Sequence, residues 1–152
     1  MKISFSPREI VMKVKTQERF NFYSHLAGMI AAVIGTIYLA IAASDSASGL
    51  VTALIYGISV VFLFSASTLY HAFKKEDNEL SFWRKMDRLA IFFMIAGTFT
   101  PVCYFCLVDP YKWSMIAFQW GLVGVGVISQ IFFPRAPRKL YAVIYLFMGW
   151  SG

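Results

Sequence analysis

Residues Gly49–Phe73 read GLVTALIYGISVVFLFSASTLYHAF, 25 residues without a single Asp, Glu, Lys or Arg. As a helix such a run rises about 37 Å, enough to cross a hydrocarbon core of about 30 Å. It does not alternate apolar with polar residues, so it does not read as a barrel strand. Its polar burden lies at one end, in Ser67 and His71, and Asp87 opens the next apolar run. A hydroxyl, an imidazole and a carboxylate facing a membrane interior are costly to hold, which makes them functional candidates.

Three other runs have the same character: Phe20–Ala43, Leu89–Val108 and Trp113–Phe133. A fifth, Leu140–Gly152, begins in the same way. Of the 152 residues 59% are hydrophobic and 14% charged, with a mean hydropathy of +0.63. A soluble domain carries about a quarter charged residues. The fold class is therefore all-α: a polytopic transmembrane helical bundle of four full spans and a partial fifth. The first run is too long for a signal-peptide core and reads as a true span. Met1–Arg19 forms a short N-terminal segment, and residues 20–152 form the membrane domain.

The net charge of +6 is distributed unevenly. Lys2, Arg8, Lys13, Lys15 and Arg19 precede the first span, whereas Ser44–Ser48 holds only Asp45. Lys74, Lys75, Arg84 and Lys85 follow the second span, Lys112 alone follows the third, and Arg135, Arg138 and Lys139 follow the fourth. Many, none, many, one, many is the positive-inside pattern, which puts the N-terminus in the cytoplasm. The expected location is the inner cell membrane. The charge sets topology and meets anionic lipid, and no basic soluble surface suggests nucleic acid as a partner.

Several smaller features carry expectations. Ser6-Pro7-Arg8-Glu9 resembles a helix start, and Ile10, Val11 and Val14 would lay an apolar face on the head groups. Phe82 and Trp83, in the Lys74–Lys85 connection, read as interfacial anchors. Gly121, Gly124 and Gly126 predict a close-packed face on the fourth span. Pro101 predicts a kink in the third. Cys103 and Cys106 form a Cys-x-x-Cys, open to a redox or zinc reading. With no helix N-terminus and no second cysteine pair beside them, packing is the preferred reading.

The charge pattern puts Ser67, His71, Asp87 and His25 in one leaflet. Ser67 and His71, four apart, share a helix face. A hydroxyl one turn from an imidazole can fix its tautomer or hold a metal-bound water, and Asp87 can act as general base. The plainer alternative remains open. The histidines would then sit among head groups, Ser67 would bond its own i−4 carbonyl, and Asp87 would be a helix-start residue favoured by the dipole. One His and one Asp fall short of the three or four protein ligands that zinc requires.

Ser67-Thr68-Leu69-Tyr70-His71, Lys85-Met86-Asp87-Arg88-Leu89-Ala90-Ile91 and Ile95-Ala96-Gly97-Thr98-Phe99-Thr100-Pro101 together resemble the hemolysin III family, grouped with the adiponectin and progestin receptor-like membrane proteins. Glu18–Gly35, with Ser24-His25, resembles the family's first span, and Gly149-Trp150 its fifth. The resemblance implies a seven-helix bundle and a zinc site near the cytoplasmic face. It assigns His71 as a metal ligand, with Ser67 and Asp87 around the metal-bound water. The other two ligands are a histidine pair of the seventh span, which lies past Gly152, and Arg88 stands where family members commonly have His. The chain is accordingly expected to be a fragment or truncated product of a longer protein, inactive alone.

Two functions follow as expectations. One is a zinc-dependent membrane hydrolase acting on a lipid acyl or amide bond, with Asp87 and Ser67 catalytic. The other is a pore-forming cytolysin or a non-enzymatic regulator of membrane state. A purely structural zinc is a third possibility. Membrane lipids are the expected partners. His25 could replace a missing ligand only if the first helix packs beside the second.

Overall fold

The computed structural model describes residues 14–76 and 80–151. Apart from a short 3₁₀ turn at Thr16–Glu18, the described chain consists of five helices. They are α1 (Arg19–Ala42), α2 (Ala47–Phe73), α3 (Phe82–Cys106), α4 (Tyr111–Phe132) and α5 (Arg138–Trp150). The first four are long and apolar enough to cross a membrane.

Side chains that a water-soluble fold would bury line the outside. Ile30, Ile34, Ile37 and Ile41 of α1 are exposed, as are Val125, Ile128, Ile131 and Phe132 of α4 and Val143, Leu146 and Phe147 of α5. Apolar surface of this extent is stable only against lipid or protein. The protein is a multi-pass helical membrane protein.

Cross-helix contacts fix antiparallel neighbours. Phe64 of α2 packs against Gly28 of α1. Phe62 of α2 meets Phe93 of α3 at 5.4 Å between ring centroids, and Phe93 meets Trp120 of α4 at 5.8 Å. At α5, Phe92 lies 4.9 Å from Tyr145 between ring centroids. A buried core of Phe92, Ala96, Val123, Tyr141 and Met148 joins α3, α4 and α5.

The helix starts have local causes. The Ser46 hydroxyl accepts from the Gly49 amide at 3.2 Å and caps α2. Ser81 accepts from the Arg84 amide at 3.3 Å and caps α3. That cap starts α3 at Phe82, seven residues before the apolar run at Leu89, so Asp87 lies in its second turn rather than at its mouth. Phe82 and Trp83 thereby belong to a helix, and Trp83 stacks on Phe73 of α2 at 5.3 Å.

Two expectations change. Val14 does not lie on an outer face but is buried with Phe22 and Ala72. Of the α4 glycines only Gly126 is pressed on, since a Cβ there would come 2.8 Å from the Phe92 ring; Gly121 and Gly124 face open space. The close approach of α3 occurs at Gly97, where a Cβ would lie 2.6 Å from that of Ser59. α3 continues helically through Pro101 to Cys106. The helix start expected at Ser6-Pro7-Arg8-Glu9, with Ile10 and Val11, lies outside the described residues.

Candidate functional site

One end of the bundle gathers the start of α1, the end of α2, the start of α3 and the start of α5. Antiparallel packing brings His25, Ser67, His71 and Asp87 to this basic end. The rings of His25 and His71 stack at 5.3 Å with 10° between planes. The hydroxyl of Ser67 interacts with the carboxylate of Asp87, and both imidazoles act on that carboxylate electrostatically. Thr36, Ser59, Thr68, Thr98 and Thr100 give their hydroxyls to the carbonyl four residues back, as membrane-helix hydroxyls commonly do. Ser67 faces Asp87.

The structure adds Glu18, which the sequence reading passed over. Its Oε2 lies 2.6 Å from His71 Nδ1, and its Oε1 accepts from Lys74 Nζ at 2.6 Å. The Glu18 side chain is 12% exposed and that of His71 14%. A carboxylate on one ring nitrogen of a neutral imidazole fixes the tautomer and orientation of the other, so with Glu18 on Nδ1 Nε2 is the nitrogen of His71 that a neutral ring would offer to a ligand. The only signal in the sequence was one acid at the head of an apolar run, between Lys15 and Arg19. Lys15 also donates to the carbonyl of Lys75, tying the preceding turn to the end of α2.

α1 does pack beside α2, the condition under which His25 could serve as a ligand. The stacked geometry opposes it, however. An imidazole lone pair lies in the ring plane, and two nearly parallel planes do not meet at an ion close to both rings. Among the described residues no three His, Cys, Asp or Glu side chains are grouped to hold a metal. These residues alone do not fit a zinc site, and His71 is the single histidine that the arrangement leaves suited to donate.

Next to the Ser67–Asp87 contact lies a cavity of about 290 Å³, lined by Tyr70, Lys74, Arg84, Asp87, Arg88 and Arg138. Arg88 reaches over the Tyr141 ring at 4.9 Å, and its carbonyl accepts from the Tyr145 hydroxyl at 2.9 Å. Cys103 and Cys106 are free thiols remote from this end. They line an apolar groove of about 690 Å³ with Phe99, Met115 and Phe118. Gln130 of α4 is buried, and neither polar atom of its amide has a partner among the described residues.

Residues 13–152 match the family model described as haemolysin-III related. The chain belongs to the haemolysin-III family. It is 36% identical to Hemolysin-3 of Bacillus cereus over 88% of this chain and 62% of that protein. It is 31% identical to the Hemolysin-3 homolog of Bacillus subtilis, over 88% of this chain and 63% of that protein. The human Monocyte to macrophage differentiation factor is 27% identical over 86% of this chain and 56% of its own length. The chain thus spans less than two thirds of the length of these relatives. No solved structure matches it.

Proposed function

We propose that this haemolysin-III protein carries, at the cytoplasmic face of the inner membrane, part of a hydrolytic centre for the acyl or amide bond of a lipid. The supporting observation is the pairing of Ser67 with Asp87 in a half-buried position beside two imidazoles. A carboxylate in that setting can take the proton of an attacking water. Ser67, through the same contact, orients the carboxylate or the water. Glu18 holds His71 by Nδ1, which leaves Nε2 to serve as the metal ligand this stretch contributes. The two further donors that a catalytic zinc needs would come from outside the described residues.

The test is release of fatty acid from radiolabelled ceramide and phospholipid by purified protein, with zinc content measured on the same sample. Asp87→Asn should lower turnover at least about 100-fold, and His71→Ala should remove both zinc and turnover. Normal hydrolysis by His71→Ala would sink the reading. A relative named Hemolysin-3 supports a second reading, that of a pore-forming cytolysin. Dye leakage from liposomes, indifferent to chelator and to Asp87→Asn, would favour it. Beyond Arg19 and Lys112 at their starts, α1, α2 and α4 carry no Asp, Glu, Lys or Arg to line such a pore.

A further inference from the structure

Three sulfur side chains line one groove at the end of the bundle remote from Asp87. Cys103 and Cys106, three apart, share a face of α3. With Phe99, one turn before Cys103, they form one wall of the apolar groove of about 690 Å³. Tyr111, Met115 and Phe118, at the same helical spacing on α4, form the other wall. Residues 107–110 join the two helices, so Cys103 and Met115 lie at matching depth from the turn.

Both cysteines are free thiols, Cys103 buried and Cys106 exposed, and the two interact electrostatically. Packing accounts for a small buried residue at Cys103 but not for a thiol at Cys106. A redox dithiol needs a stabilised thiolate, which a helix N-terminus or a neighbouring cation supplies. These thiols lie instead in the last turn of α3, where the negative end of the helix dipole disfavours a free thiolate. A bound metal cation cancels part of the thiolate charge and makes the pair tenable there. Structural zinc takes four ligands, and among the described residues no third His, Cys, Asp or Glu joins the pair. Copper(I) needs fewer ligands than zinc, and thiolate and thioether sulfurs select it. Phe99, Val102, Leu107 and Phe118 surround the sulfurs, and such an apolar shell keeps water and oxygen ligands from the ion.

We infer that Cys103, Cys106 and Met115 form a site for a soft monovalent metal ion, copper(I). Each thiol gives its proton to solvent as its sulfur binds, and the thioether of Met115 binds without losing one. Cys106, at the exposed mouth of the groove, receives the ion, and Cys103 and Met115 hold it deeper. Binding there ties the end of α3 to α4. The site shares no residue with the hydrolytic reading and stands whether or not Asp87 performs hydrolysis.

The experiment titrates the whole protein, purified in neutral detergent without oxygen, with copper(I) in competition with a colorimetric copper(I) chelator. The protein should take one copper(I) per chain from the chelator. Cys106→Ser should weaken that binding at least about 100-fold, since even partners outside a ligand set are worth up to about that much. Met115→Leu, which keeps the bulk of the side chain, should weaken it about tenfold. X-ray absorption at the copper edge should show sulfur neighbours and no nitrogen. His71→Ala, at the other end of the bundle, should leave copper(I) binding unchanged.

Cys103→Ser should behave as Cys106→Ser does. If that buried change prevents folding, Cys106→Ser and Met115→Leu carry the test, with their melting temperatures as the check on folding. Copper(I) held as tightly by Cys106→Ser as by the native protein would overturn the site, and unchanged affinity in Met115→Leu would overturn its three-sulfur form. Nitrogen neighbours that vanish in His71→Ala would overturn it too, by placing the ion at the histidines. Displacement of copper(I) by zinc(II) at equal concentration would refute its preference for a soft ion.

Discussion

The two ends of the bundle solve opposite problems with the same kind of helix. At the basic end, Glu18, His71 and Lys74 interlock across the 3₁₀ turn and α2, and Ser67 reaches from α2 to Asp87 of α3. At the other end, Asp45 is exposed and Asp109 meets Lys112 at 3.8 Å on the surface. An apolar groove beside Cys103 takes the place of a polar cavity there. Polar groups at the first end are held between helices and constrain one another, whereas at the second they remain at the surface. The same residue type should therefore carry very different weight at the two ends.

The largest test of that contrast removes Glu18. Glu18→Ala leaves the Lys74 ammonium without its anion and His71 Nδ1 without its partner, and breaking such a buried pair costs about 3 kcal/mol. Asp45→Ala should change stability by less than about 0.5 kcal/mol. Unfolding of both variants in mixed micelles measures the difference, and equal losses would erase the distinction between the ends.

Next is the seam between α2 and α3, which runs from one end to the other. Gly97→Val would drive a side chain into Ser59. An overpacked site of this kind costs about 1–3 kcal/mol, read as a lower unfolding midpoint together with a looser Ser67–Asp87 contact. Should midpoint and hydrolysis both stay unchanged, the seam does not position the site.

Gln130 gives a change of opposite sign. Its amide is buried without a partner among the described residues, so Gln130→Leu should stabilise by about 1 kcal/mol or leave stability unchanged. A loss instead would show that the amide serves a group outside these residues. A further small gain is expected of Gly121→Ala, on an open face of α4. It should raise stability by no more than about 1 kcal/mol.

Much of this was legible in the chain. The uncharged length of Gly49–Phe73, and the alternation of basic with non-basic connections, gave the helical class and brought Ser67, His71, Asp87 and His25 to one end. Glu18 was not legible, because an acid between Lys15 and Arg19 looks like any head-group residue. Its partners lie 53 and 56 positions away. Nor could the sequence separate Gly126 from Gly121 and Gly124, which share its composition and its helix.

What the sequence determined by itself was local: where each helix is apolar enough to cross, which end of it is charged, and which residues repeat on one face. Hydropathy and charge are summed along the chain, and a span of about 20 apolar residues leaves few alternatives. What the tertiary structure alone decided was the rotation of each helix about its axis. That rotation pairs Glu18 with His71 and Lys74, turns Ser67 to Asp87, and brings Arg84, Arg88 and Arg138 around one cavity. A helix that is apolar all round carries little amphipathic signal of which face turns inward. Close packing at Gly97 and Gly126, and the need to partner buried charge, decide it only when the neighbouring helix is present.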